Sequence, residues 1–130
     1  RIQLRDPIGQ YLPELRNLVV HTAQGDQPLA RQPTVQDLLR HSSGFVYADA
    51  APERIRDLYR QHDIEARNGP VPGDEMLRRL GTIPLAFQPG AQFFYSISTD
   101  ILGLLLERAA GERLDRLIES RLTGPLGMRD

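Results

Sequence analysis

The stretch FFYSISTDILGLLLERAAG, residues 93–111, passes from aromatics through a cluster of hydroxyls and one acid into an apolar run that ends on glycine. Ile97, Ile101, Leu104, Leu105 and Ala109 recur at helical spacing, which predicts a helix over 97–110 closed by Gly111. Ser96, Ser98, Thr99 and Asp100 are residue types that start helices, because their oxygens accept from first-turn N–H groups and an acid complements the dipole. Capping accounts for those four and leaves Tyr95 unexplained. Position alone admits two readings of its phenol, a buried aromatic with a hydrogen-bonded tip or a group aimed into a cleft, and prefers the buried aromatic.

Outward from that stretch, residues 83–96 read as extended, with a turn at Pro89-Gly90 whose glycine needs positive φ. Thr34 followed by Asp37 forms a capping box for a helix whose buried stripe is Val35, Leu38 and Leu39, ending between His41 and Gly44. Apolar residues at helical spacing predict helices over 52–62, 74–80 and 114–122. A short helix over 7–12 is stopped by Pro13, and Val19-Val20 ahead of Gly25-Asp26 reads as a hairpin or excursion loop. The expected fold is mainly α with short extended segments and no internal repeat.

With 130 residues, 40% of them hydrophobic, the chain can bury one core and reads as a single unit over 1–130. It contains no apolar window of about 18 residues, so no membrane span is expected. Sixteen basic residues balance 17 acidic ones without long blocks of one sign, which argues against nucleic acid or an anionic membrane as partner. Cysteine is absent, which excludes disulfides and thiol catalysis but leaves the compartment open, whether secreted, periplasmic or cytoplasmic. All 16 basic residues are arginine. Schiff-base chemistry, a phosphate-loop lysine and a Ser-Lys pair therefore cannot be completed within this chain. The abrupt ends read as those of a segment from a longer protein.

His21, His41 and His62 fall in different predicted elements without paired spacing, so neither a metal nor a cofactor is expected. No glycine-rich phosphate loop and no Gly-x-Ser-x-Gly elbow occurs. Ser42 and Ser43, adjacent to His41, read as helix terminators rather than nucleophiles, since catalytic partners usually come from separate elements. Arg108, Arg113 and Arg116 read as solvated.

Four segments in order then carry a resemblance: LRDPIGQYLPEL (4–15), TVQDLLRHSSGF (34–45), PLAFQPGAQFFYSISTDILGLLLERAAGERLDRLIESRL (84–122) and GPLGMRD (124–130). Together they resemble the serine hydrolase superfamily of class C β-lactamases, D-alanyl-D-alanine carboxypeptidases, D-aminopeptidases and β-lactamase-like carboxylesterases. The resemblance covers nearly the whole chain and is weakest between Ala48 and Gly73. It implies the helical subdomain of an α/β plus α enzyme, with the Ser-x-x-Lys nucleophile motif and a Lys-Thr-Gly type strand lying outside this chain. On that basis the segment alone is expected to be inactive, its partners being the remainder of the α/β domain and a small ester or amide substrate.

The same resemblance assigns Tyr95 the role of the catalytic tyrosine and puts Phe45, Val46 and Tyr47 on a loop at the cleft rim, where Phe45 and Tyr47 are candidate substrate contacts. Class C β-lactamases have Tyr-x-Asn where this chain has Tyr95-Ser96-Ile97. Isoleucine cannot make the polar contact of that asparagine, so Ile97 is a further candidate contact and points toward esters over β-lactams. A catalytically inactive homologue serving as a binding module is the alternative expectation.

Overall fold

The computed structural model describes residues 1–128; Arg129 and Asp130, the end of the GPLGMRD segment, lie outside the described residues. Helix α1 spans Val35–Leu39 and shows the expected capping box. Thr34 Oγ1 accepts the Asp37 N–H at 3.2 Å, and Asp37 Oδ2 accepts the Thr34 N–H at 2.9 Å. So short a helix does not hold itself together and depends on tertiary partners. Asp37 recruits them: its carboxylate, 4% exposed, accepts both Arg31 guanidinium nitrogens at 2.5 and 3.0 Å and the Ser42 hydroxyl at 3.1 Å. Val35 and Leu38 enter the core, but Leu39, expected in the same stripe, is 54% exposed. A helix of one and a half turns presents too narrow an apolar face to bury all three.

After α1 the backbone reverses at His41, which adopts φ 52, and at Gly44, with φ 96. The reversal docks residues 41–44 along the later extended segment. The His41 carbonyl accepts the Phe94 N–H (2.7 Å), that of Ser42 the Gly90 N–H (2.7 Å), and that of Gly44 the Ala86 N–H (2.9 Å). Only glycine fits at position 44, because a Cβ would meet the Phe87 carbonyl oxygen at 2.5 Å in addition to the left-handed backbone. Gly90 takes the positive φ, 84, that the sequence anticipated.

Helix α2 (Glu53–Gln61) buries Ile55 and Tyr59, and α3 (Gly73–Leu80) buries Leu77 and Leu80. Helix α4, Ser98–Ala110, lies against α1 and sends Ile101 and Leu105 into the core, while Ala109 stays outside. It ends at Gly111 with φ 68. Its predicted side-chain cap is replaced: the residue preceding the helix is Ile97, and Ser96 Oγ accepts the Ser98 N–H at 3.3 Å. The expected helix over 7–12 is instead a 3-10 turn, Ile8–Gln10, followed by a second, Pro13–Leu15. Strands β1 (Val19–Thr22) and β2 (Gly25–Pro28) form the antiparallel hairpin, and β1 is tied to the body by two 2.8 Å bonds with Leu85. Helix α5, Leu114–Ile118, passes into a π-helical turn, Glu119–Thr123, and neither buries a residue.

Arg108 is exposed, as its face led one to expect, but it is also ion-paired. Its guanidinium bonds both Glu14 oxygens, at 2.9 and 2.7 Å, and reaches Asp74, joining the Pro13–Leu15 turn, α3 and α4. The Glu14 carboxyl is held below its ordinary range chiefly by that hydrogen bond. Arg113 and Arg116 do remain on the surface and, among the described residues, pair with nearby Asp115 and Glu119.

Burial opposes ionisation of Asp37, yet the Arg31 guanidinium and the Thr34 amide and hydroxyl together outweigh it and hold the carboxyl below the usual range. A depressed carboxyl contributes stability above its unfolded value of about 4 and loses it as pH falls through the lower folded value. Asp37→Asn is therefore expected to destabilise the protein by about 2–3 kcal/mol at neutral pH. The gap to wild type should close below about pH 4, read by thermal unfolding across pH. Gly44→Ala should lower stability by about 3 kcal/mol through left-handed strain and overpacking, measured by the same unfolding experiment at neutral pH.

Candidate active site around Tyr95

The extended segment that leads into α4 carries Tyr95, and its neighbours in sequence are anchored on both sides. Phe94 donates its amide to the His41 carbonyl, and Ser96 donates its amide to His41 Nδ1 at 3.2 Å. Behind them the hydroxyls of Ser43, Ser98 and Ser96 form a buried chain with two 2.7 Å links, and Ser43 Oγ also accepts the Phe45 amide. Ser42 and Ser43 are 5% and 0% exposed, so both hydroxyls are committed to the scaffold rather than to solvent or substrate. Buried hydroxyls are tolerated when they are hydrogen-bonded, as these are.

On this platform Tyr95 is 64% exposed, which overturns the buried-aromatic reading preferred from position alone. Its ring lies 4.7 Å from the His41 ring and 5.6 Å from that of Tyr47. The Tyr47 phenol is pushed up by burial first, and then by the negative charge of Asp100 and the proximity of Tyr95 and Glu65. Tyr59 is enclosed between α2 and the core, and burial drives its phenol further up still. Of the tyrosines in contact with one another, Tyr95 is the one that faces outward.

Linked to Tyr95 through the Tyr47 ring, a cavity of about 370 Å³ opens between α3, α4 and the loop at residues 64–66. Tyr47, Ile64, Met76, Ile97, Ile101 and Leu104 give it apolar walls, and Glu65 and Asp100 add carboxylates. Glu65 is already engaged, accepting the Ala48 amide at 2.8 Å and pairing with Arg67. The three candidate contacts thus separate. Tyr47 and Ile97 line this cavity, whereas Phe45 is 2% exposed and packs in the core. Tyr95 itself lines neither this cavity nor a second hollow bordered by Asp74, Arg108 and Arg113.

His41 was visible in the sequence only as part of a helix terminator. Its bond to Ser96 spans 55 residues, and no local spacing announces such a contact. The other histidines lie elsewhere: His21 is beside Asp26 and Arg54 on the hairpin, and the His62 carbonyl accepts from Arg79. Among the described residues, no group of three or more His, Cys, Asp or Glu could hold a metal ion, and no helix is long and apolar enough to cross a membrane.

Comparison with known proteins agrees with this architecture. Esterase EstB from Burkholderia gladioli is 37% identical over 131 residues, a match covering 99% of this chain and 31% of the esterase. A lovastatin esterase from Penicillium rubens is 33% identical over 107 residues, 81% of this chain and 25% of that protein. Among solved structures, EstCE1, described as a hydrolase with promiscuous acyltransferase activity, superimposes with a TM-score of 0.75 at 28% identity, covering 98% of this chain and 32% of its own. The chain thus spans about a third of the relatives it matches. The family model described as Beta-lactamase matches residues 1–130, from the first 3-10 turns through α5, and the chain belongs to the beta-lactamase family of hydrolases.

Proposed function

We propose that this chain is the helical subdomain of a serine hydrolase that works through an acyl-enzyme and prefers esters, with Tyr95 as its catalytic tyrosine. The observation that carries the proposal is the outward-facing Tyr95 side chain, held between two anchored backbone amides and in ring contact with Tyr47, which lines an apolar cavity. The nucleophilic serine, its lysine and the oxyanion donors belong to sequence outside the chain, which contains no lysine. The segment alone is accordingly inactive.

The chemistry follows from what a phenol can do. At its ordinary pKa of about 10 a phenol is a poor base near neutrality, unless cations stabilise the phenolate or a hydrogen-bonded network relays the proton. In acylation the serine oxygen forms a bond to the ester carbonyl carbon while its proton passes to the tyrosine-lysine network. The alcohol leaves as the C–O bond breaks, taking that proton. In deacylation a water gives its proton to the same network and its oxygen bonds the acyl carbon, which frees the serine and the acid.

Preference for esters rests on Ile97, which is 6% exposed and contributes hydrocarbon to the cavity wall. It offers no donor or acceptor to an acyl-side amide such as β-lactam and peptide substrates carry. The esterase names of the relatives point the same way.

Tyr95→Phe in the full-length protein should lower kcat on a chromogenic short-chain ester by about 10²–10⁴-fold. Its unfolding midpoint should be essentially unchanged, because the side chain is exposed; near-normal turnover would remove Tyr95 from the mechanism. With a chromogenic ester and a chromogenic cephalosporin assayed side by side, fast ester and slow cephalosporin turnover is expected. The reverse order defeats the Ile97 argument, and binding without turnover of either substrate selects the inactive binding module instead.

A further inference from the structure

We propose that His41 is a positioning residue for Tyr95, acting through the Ser96 backbone amide and through ring contact; this rests on the catalytic reading of Tyr95. Three observations converge on it. First, Ser96 is 1% exposed, and a buried amide requires a partner. Among the described residues that partner is His41 Nδ1, at 3.2 Å. Nδ1 must present a lone pair to this donor, so the imidazole carries its proton on Nε2.

Second, the His41 ring packs 4.7 Å from the Tyr95 ring and edge-on, at 6.1 Å, to that of Phe93. The imidazole thereby fills the space between the aromatic side chains that flank Phe94. Third, His41 holds this place with φ 52, a backbone region in which glycine or asparagine sits more comfortably than histidine. Ending helix α1 requires only that backbone. The imidazole adds an acceptor for Ser96 and a wall for Tyr95.

The geometry also names the substitutes that separate positioning from mere helix termination. Asparagine places Oδ1 where histidine has Nδ1 and tolerates positive φ. Glutamine places its amide where histidine has Nε2 and leaves the Ser96 amide unpaired. In the full-length enzyme, assayed with p-nitrophenyl butyrate and normalised by active-site titration, His41→Gln and His41→Ala should each lower kcat by about 10²-fold, the scale of a 1 Å misplacement. KM should change little, and His41→Asn should recover most of the lost kcat. In a Tyr95→Phe background, His41→Ala should have almost no further effect, since nothing remains to be positioned.

Normal kcat per active site in His41→Gln and His41→Ala overturns the inference, as does a double variant whose losses multiply. So does an Asn variant no better than the Gln variant. If His41→Ala fails to fold, the Asn and Gln pair decides alone. Near-normal turnover of Tyr95→Phe by itself defeats the catalytic reading and this inference with it, whereas collapse of Tyr95→Phe beside intact His41 variants defeats this inference only.

Discussion

The carboxylate of Asp37 is the constraint from which the rest of the arrangement follows. Burying a charge without partners is prohibitive, and here Arg31, Thr34 and Ser42 supply five donors to its two oxygens. Those contacts begin α1 at one place and release the chain from it at another. Because Ser42 is tied down, the reversal at His41 and Gly44 points the next residues at the segment running from Ala86 to Phe94. The direction in which Tyr95 faces is thus inherited, through a sequence of backbone bonds, from an acid on a neighbouring helix. Arg31 is the most exposed member of this group, so part of the guanidinium charge stays solvated while the carboxylate does not.

What the sequence made legible was local. The capping box at Thr34 and Asp37, the Pro89-Gly90 turn, the hairpin at Val19 and the apolar spacing of α4 all depend on residues within a few positions of one another. What it concealed was long-range or set by length. Leu39 has the right spacing for burial and lies outside because α1 stops beneath it. Arg108 is a surface residue whose pairing shows only once α3 and the Pro13–Leu15 turn bring Asp74 and Glu14 to it. Tyr95 was singled out by resemblance, since residue position alone favoured the opposite orientation. Phe45 shows the limit of that resemblance: a rim loop was expected, and its aromatic ring turned inward.

The polar residues around Tyr95 divide between support and exposure. Ser43, Ser96 and Ser98 satisfy one another in a dry interior, which leaves the surface in front of them to aromatic and aliphatic groups. On the proposed reading, a wall of that kind offers a substrate shape and hydrocarbon contact more than hydrogen bonds.

The bonds from His41 to Ser96 and from Ser43 to Ser98 each span 55 residues. Closing so long a loop costs entropy before any contact repays it, and such pairings form late relative to local helices. A chain with every helix already wound but this seam still open would have the secondary structure of the native protein and no defined place for its exposed phenol. The orientation of Tyr95 therefore depends on a long-range tertiary seam rather than on the presence of helices.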